Sequence, residues 1–281
     1  MIRLFLSFIF TFMFCAAPVF SETKQNSDFA KNIIGDITVF SLIESTFEHP
    51  KDLFLYPGSA KVLASYLAKP NSTKSTVTFF LAITPDFKIL FDTGSDSDVL
   101  LKRLNEIQIN PEDINFVCIT HMHPDHIGGL INKQKTPVLP NATIFISKRE
   151  ADCNSNNKIF EIYQQDKIKV FDTNEEIIKE IKPIPVYGHT SGQTMYKITT
   201  KGKSVLFWGD ILHAPVQFSK PDIYTHYDNN PKETVAIRKD ILEQVSKDKT
   251  VVAGAHLIYP AIGTVSKTND GYKFTPITIV K

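Results

Sequence analysis

Behind Thr120 the chain places His121, His123, Asp125 and His126 within six residues, in the stretch INFVCITHMHPDHIGGL from Ile114 to Leu130. Imidazole nitrogens and carboxylate oxygens are the donors that a zinc-like ion takes. Ile114 to Ile119 is apolar and β-branched, short and dense enough to be a strand buried on both faces. His121 and His123 are two apart, so in extended chain leaving that strand they point to one side. Pro124 suits the first turn of a helix, which would carry Asp125 and His126 to a neighbouring point. Gly128 and Gly129 leave room for close backbone approach. One strand end thus supplies two pairs of ligands, enough to begin two metal sites that share a bridge. A surface loop explains a lone histidine well, but not H-x-H-x-D-H directly behind a buried strand. No basic run flanks the cluster, so nothing points to nucleic acid or a membrane surface.

Three further donors stand at strand ends in the second half of the chain. Tyr187-Gly188-His189-Thr190 presents His189, Leu206-Phe207-Trp208-Gly209-Asp210 presents Asp210, and Val252-Ala253-Gly254-Ala255-His256 presents His256. Each is an apolar run ending in one donor beside glycine. Singly, each reads as a cap or a surface residue. Together with the first cluster they complete a binuclear set.

The elements that must position these residues follow from pattern. Asp36 to Ile43 reads as a strand, and Phe47 to Leu67 as a loop with a short helix or a flap over the site. Thr76 to Asp92 reads as a hairpin turned at Pro85. Asp98 to Gln108 carries a helical apolar stripe capped by Ser97 or Asp98. Ala142 to Ser147 is a strand and Lys148 to Gln165 a polar helix. Short strands follow at Ile168 to Phe171 and Ile184 to Tyr187, then a hairpin from Thr194 to Trp208. Pro231 to Lys247 is an amphipathic helix, Thr250 to Ala255 a strand, and Asn269-Asp270-Gly271 turns a closing hairpin. Hairpin, helix and ligand strand occur twice. The expected fold is therefore α/β, two similar halves whose sheets pack face to face with helices outside.

The chain has 281 residues and a formal net charge of +1, which gives no reason to expect a charged polymer partner. Arg3 precedes an apolar run from about Leu4 to Phe14, and Val19-Phe20-Ser21 offers small residues for cleavage. Residues 1–21 thus read as a secretory signal peptide, too short for a comfortable membrane span. Bulky Phe12-Met13-Phe14 ahead of Cys15 argues against a lipoprotein. Residues 22–33 are expected to be a flexible arm and residues 34–281 a single domain. The expected location is periplasmic or secreted. Cys118 and Cys153 could pair there, though their spacing does not demand it.

THMHPDHIGG, YGHTSGQT, WGDI and AGAHL, in that order, resemble the metallo-β-lactamase superfamily. GDILHAPVQF, AHLIYPAIGT and GYKFTPI are similar to its methyl parathion hydrolase and lactonase branch, over residues 35 to 276. The resemblance implies a four-layer αββα sandwich and two Zn²⁺ ions, with other divalent metals possible. Carried over residue by residue, His121, His123 and His189 would hold one zinc, and Asp125, His126 and His256 the other. Asp210 would bridge them, and Asp92 would orient a ligand histidine. The stretch between Glu150 and Gly188 is shorter than in parathion hydrolases, so their pocket wall need not carry over. Lactonases of the superfamily often carry a substrate-contacting tyrosine where His213 stands; His213 could donate the same bond or be a polar rim residue.

Two zincs would lower the pKa of a shared water so that hydroxide forms near neutral pH, with Asp125 as proton shuttle. The expected reaction is direct hydrolysis of a small, neutral or weakly polar lactone, ester or phosphotriester. Trp208, Phe218, Ile258, Tyr259, Ile262 and part of 47–67 are expected to line the pocket. His49 and His226 lack any partner pattern and read as surface residues. Asp92-Thr93-Gly94-Ser95 matches an aspartic-protease signature, but no second copy occurs for the facing aspartate. A catalytically silent metal- or ligand-binding protein is the main alternative, separable by turnover. A redox di-iron site would need a carboxylate at His123, and β-lactamases usually lack the bridging carboxylate that Asp210 offers. A homodimer is compatible with all of this.

Overall fold

A computed structural model describes residues 28–163, 166–172 and 177–277. The expected signal peptide lies outside the described residues. The N-terminal half runs β1 (Phe29–Ile34), β2 (Ile37–Glu48), β3 (Phe54–Leu55), α1 (Ala60–Leu67), β4 (Lys74–Ile83), β5 (Lys88–Phe91), α2 (Ser97–Glu106), β6 (Phe116–Cys118), α3 (Pro124–Ile127), β7 (Thr143–Ser147), α4 (Lys148–Cys153), α5 (Ile159–Ile162) and β8 (Ile168–Phe171). The C-terminal half runs β9 (Ile181–Pro185), β10 (Thr194–Thr200), β11 (Lys203–Phe207), α6 (Val216–Ser219), β12 (Tyr224–Thr225), α7 (Pro231–Asp248), β13 (Val251–Ala253), β14 (Ile262–Lys267) and β15 (Tyr272–Pro276).

Two large sheets form, one in the order β1-β2-β4-β5-β6-β7-β8 and the other β15-β14-β13-β11-β10-β9. The alternation of side chains along the strands explains how they stack. Phe80, Ala82, Ile89, Phe91, Cys118 and Phe145 point from the first sheet into a core shared with Tyr196, Ile198, Val205 and Phe207 of the second. Their neighbours Phe79, Leu81, Leu90, Val117 and Ile144 face the other way, onto Leu100 and Leu104 of α2, Ala151 of α4 and Ile159 of α5. Phe91 and Phe207 stack across the two sheets, ring centroids 3.8 Å apart and 3° from parallel. α7 covers the outer face of the second sheet through Leu242 and Val245. The arrangement is the αββα sandwich that the pattern implies.

What matters for function is strand direction. β5, β6, β7 and β8 are mutually parallel, as are β11 and β13. In such sheets functional groups gather at the carboxyl ends of the strands. Asp92, the THMHPDH stretch, Asp210 and His256 follow the ends of β5, β6, β11 and β13.

Several expectations need correction. Residues 29–33 of the supposed arm belong to β1, paired with β2 from Phe29↔Leu42 to Ile34↔Ile37 and turning Ala30, Asn32 and Ile34 inward. The helix expected over 148–165 ends at Cys153, because the Asn154 side chain caps Glu150 O at 2.9 Å and Asn157 Oδ1 accepts the N–H that starts α5. The strand expected at 184–187 is instead β9, an edge strand whose Pro183 and Pro185 cost no needed donor there. Cys118 and Cys153 are not paired; the first is buried and the second exposed.

Candidate metal centre

All seven donors singled out in the sequence converge. The ligand atoms of His121, His123, His189 and Asp210 lie within 4.8 Å of one another, and so do those of Asp125, His126 and His256. Asp210 sits between the groups: its Oδ1 is 3.2 Å from His126 Nε2, and its Oδ2 is 3.3 Å from His189 Nε2 and 3.1 Å from His256 Nε2. His123 Nδ1 is 2.9 Å from His121 Nε2 and 3.1 Å from His189 Nε2. Donors about 2.0–2.1 Å from a tetrahedral zinc stand roughly 3.3 Å apart, so this constellation fits the ion. Burial alone would raise the Asp210 carboxyl, but His256, His126 and His121 hold it well below the usual carboxylate range. It therefore stays ionised.

The reason each imidazole presents one particular nitrogen lies on its far side. His126 Nδ1 is 2.8 Å from Asp92 Oδ2, His189 Nδ1 is 3.0 Å from Asp228 Oδ1, and His256 Nδ1 donates to Thr76 O at 2.7 Å. His121 Nδ1 is 3.1 Å from Thr120 Oγ1, which itself donates to Asp92 Oδ2 at 2.8 Å. Each partner fixes a tautomer with Nε2 free to ligate, and a carboxylate partner raises ligand basicity. Asp92 thus serves ligands of both groups, and the Thr120 N–H donates to its second oxygen at 2.8 Å.

Local chain geometry makes these approaches possible. Gly209 has φ +57°, and a Cβ there would stand 2.9 Å from Thr120 Oγ1. Only glycine takes that left-handed turn without cost while bringing Asp210 against the β6 end. Tyr196 Oη donates to Ile119 O at 2.7 Å, and Thr194 N–H to Thr120 O at 2.9 Å, pinning the same strand end from the second sheet.

Three contributors escaped sequence reading. Asp228 is buried, accepts the Thr225 N–H at 2.9 Å, and is held at about 2: burial opposes ionisation, but His189, His213 and Arg238 outweigh it. Glu150 is buried and accepts from Met122 N at 3.1 Å, Gly192 N at 3.1 Å and the Thr190 hydroxyl, tying the loop of His121 and His123 to that of His189. Its signal was the S-x-x-E spacing of Ser147 and Glu150, a capping pattern whose carboxylate has been turned to another use.

His49 is the third, and corrects its reading as a surface residue. It is 6% exposed, with ring centroids 6.4 Å from both His213 and His256, whereas His226 is exposed as expected. Burial first, then His213 and His256, push it down to about 4 against the pull of Asp210 and Asp125. A depressed imidazole stabilises the fold fully above the unfolded value of about 6.5, and that contribution is lost as pH falls through the folded value. Replacing His49 by Phe should therefore flatten the fall in Tm between about pH 6.5 and 4. An unchanged slope would show that His49 does not contribute it.

His213 is buried, not a rim residue, with Nε2 3.4 Å from Asp210 Oδ2 and its ring stacked on His256. Of the expected pocket residues, Trp208 and Ile262 are both 0% exposed and belong to the core. Trp208 is drawn inward because Gly254 leaves space: a Cβ there would lie 2.0 Å from its Nε1. Phe218 and Ile258 line a cavity of about 220 Å³ with Leu257, Tyr272 and Phe274, not the centre itself. Tyr259 is half-buried. Solvent reaches the centre past His123 and Asp125, the only two of the seven that are not buried, and Tyr227, 48% exposed, stands 5.7 Å from His213.

The N-acyl homoserine lactonase of Bacillus thuringiensis is 23% identical over 164 residues, 58% of this chain and 63% of that protein. A Methanocaldococcus jannaschii protein named as a metallo-hydrolase is 31% identical over 87 residues, 30% of this chain and 40% of its own length. The chain thus spans less than two thirds of the curated relatives it matches. Among solved structures, a hydrolase called AbOPH of the beta lactamase superfamily is 27% identical with a TM-score of 0.80, over 92% of this chain and 100% of that one. AidC, a dizinc quorum-quenching lactonase solved with a product, is 26% identical with a TM-score of 0.79, over 90% and 98%. Residues 73–256 match the family Lactamase_B, and the chain belongs to the metallo-beta-lactamase superfamily.

Proposed function

We propose that this protein is a binuclear zinc hydrolase that opens small lactones or cleaves esters or phosphotriesters. The observation that carries the reading is the convergence of seven donors from distant strand ends, four of whose imidazoles are oriented through Nδ1. A pair of divalent cations supplies Lewis acidity for a carbonyl or phosphoryl oxygen and brings the pKa of water down to about 7.

The chain's own side chains would do the rest. Asp210 stands between the ligand groups, with Oδ1 against His126 and Oδ2 against His189 and His256, and would bridge the two ions. Asp125 is partly open to solvent, with Oδ2 3.5 Å from His256 Nε2, so its other oxygen can take the nucleophile's proton and pass it to the leaving group. His213 stands beside Asp210, placed to hydrogen-bond the substrate's polar oxygen. No lysine or arginine accompanies the ligand motifs in the sequence, and Arg238 donates to backbone carbonyls. A neutral substrate is favoured over a phosphate monoester.

The test is a panel of an aryl ester, an aliphatic lactone, an N-acyl homoserine lactone and a phosphotriester, assayed with zinc-loaded protein. Turnover of at least one, abolished by chelation and restored by zinc, is expected. Two bound ions with no turnover on any would favour a silent binding protein. Within the panel, His213→Leu should lower lactone hydrolysis about tenfold or more and phosphotriester hydrolysis less, because the contact is to a carbonyl group. An equal drop in both would count against that contact. Export is supported by the apolar stretch behind Arg3; a shortened chain recovered in the periplasmic fraction would be the expected result of cell fractionation.

A further inference from the structure

We propose that the outer face of the second sheet carries a binding site for a single-chain amphiphile with an anionic head, a carboxylate on an unbranched apolar chain. The site shares no residue with the metal centre and does not depend on the reaction carried out there.

Register lays out the edge of that sheet. Ile184 and Lys182 of β9 lie opposite Met195 and Lys197 of β10, and Leu206 of β11 lies opposite Lys197 on its other side. Side chains alternate along a strand, so these five share one face. Tyr196 and Ile198, between them in sequence, point the other way into the core between the sheets. The shared face turns towards α7: Ile241, Gln244 and Val245 of that helix line one cavity with it, of about 940 Å³. That volume is in the range of small-molecule sites.

Two features of the cavity select its occupant. Its floor is apolar, with Met195, Leu206 and Val245 buried at the bottom and Ile184 and Ile241 half-buried beside them. Its rim carries Lys182 and Lys197 directly opposite each other on neighbouring strands, where like charges repel and weaken the sheet. Among the described residues neither lysine has an ion-pair partner. Glu180, the carboxylate that also lines the cavity, sits one row further on, where its carbonyl accepts the Thr199 N–H at 3.1 Å. An anion between the two lysines would turn their repulsion into two attractions. An inorganic anion would leave the apolar floor uncovered, and a neutral hydrocarbon would leave the lysines unpaired. A strand added along this edge is disfavoured, because Pro183 and Pro185 of β9 have no N–H to donate. A carboxylate with a hydrocarbon tail satisfies both floor and rim.

Methionine reports the site directly. Of the four methionines, Met1 and Met13 precede the described residues, Met195 lies on the cavity floor, and Met122 stands between the ligands His121 and His123. Zinc-loaded protein with isotope-labelled methionine methyls is titrated by NMR with decanoate, decan-1-ol and decyltrimethylammonium, each below its micellar concentration. Nuclear Overhauser contacts from the decanoate chain to the Met195 methyl are expected. Decanoate should bind about tenfold more tightly than decanol, the worth of one charge-assisted hydrogen bond. The double variant Lys182→Gln, Lys197→Gln should bring decanoate down to the level of decanol. Gln244→Trp, which fills the cavity from α7, should abolish binding of both. Contacts to Met122 in place of Met195, decanoate binding no tighter than the other two probes, or a preference that survives in the double lysine variant would overturn the site. So would a dimer that Gln244→Trp dissociates and decanoate leaves intact, since the face would then belong to a second copy of the chain.

Discussion

Asp210→Asn is expected to empty at least one cation site and to reduce turnover a thousandfold or more, while leaving the fold intact. The side chain is buried behind the Gly209 turn, with His121, His126, His189, His213 and His256 nitrogens 3.1–3.6 Å from its oxygens. Asparagine keeps the shape and removes the charge. A unit charge pair about 4 Å apart at an effective dielectric of about 20 is worth about 4 kcal/mol, or roughly a thousandfold in a binding constant. A dication would feel twice that. Metal analysis on the purified variant, with its rate on the best substrate of the panel, is the check. Zinc content and rate both within twofold of wild type would contradict the bridging role.

The second large effect concerns stability. Arg238 is 0% exposed on α7, where an amphipathic helix would ordinarily present arginine to water. Its Nε donates to Ile211 O at 2.7 Å, Nη1 donates to Pro221 O at 3.1 Å and to Ile223 O at 2.5 Å, and Nη2 lies 3.9 Å from Asp228 Oδ2. Burial lowers the guanidinium to about 10, with Asp228 and Asp222 opposing, so it remains charged at neutral pH. Replacing it by Met fills the space but orphans the carbonyls and removes the cation facing Asp228. Breaking such a buried arrangement costs about 3–5 kcal/mol. For a chain of this size that lowers Tm by roughly 10 °C. Because Ile211 adjoins Asp210 and Asp228 orients His189, zinc affinity should fall as well. Arg238→Lys should recover only part of the stability, since an ammonium lacks the planar fork. Calorimetry on the three proteins decides it; a Tm within 2 °C of wild type for Arg238→Met would refute the structural role.

How far the sequence could be read depended on whether the signal was local. The donors at the ends of β6, β11 and β13 each follow an apolar run and adjoin a small or glycine residue, so the strand end and its cargo are visible together. Asp92 also ends an apolar run, at β5, but its orienting role followed from the family resemblance. His49 was not, because its neighbours are created by the pairing of β3 with β12, residues about 170 apart in the chain, and nothing near position 49 announces that contact. Asp228 and Arg238 were hidden likewise: a polar loop residue and a helix arginine look solvated until α7 docks. Trp208 and Ile262 failed as pocket residues because an apolar residue beside a ligand can face either the cleft or the core, and the space left by Gly254 decided for Trp208. The long helix expected after Lys148 failed on a run of asparagines that cap and restart the chain. Patterns with a period gave the layers; contacts that exist only after folding gave the surroundings of the site.

Anomalous diffraction at the zinc edge, from crystals of the zinc-loaded protein, addresses the centre without reference to any substrate. Two peaks are expected, one among His121, His123 and His189 and the other among Asp125, His126 and His256, with Asp210 reaching both. A single peak, or a pair in which Asp210 touches neither ion, would contradict the binuclear arrangement.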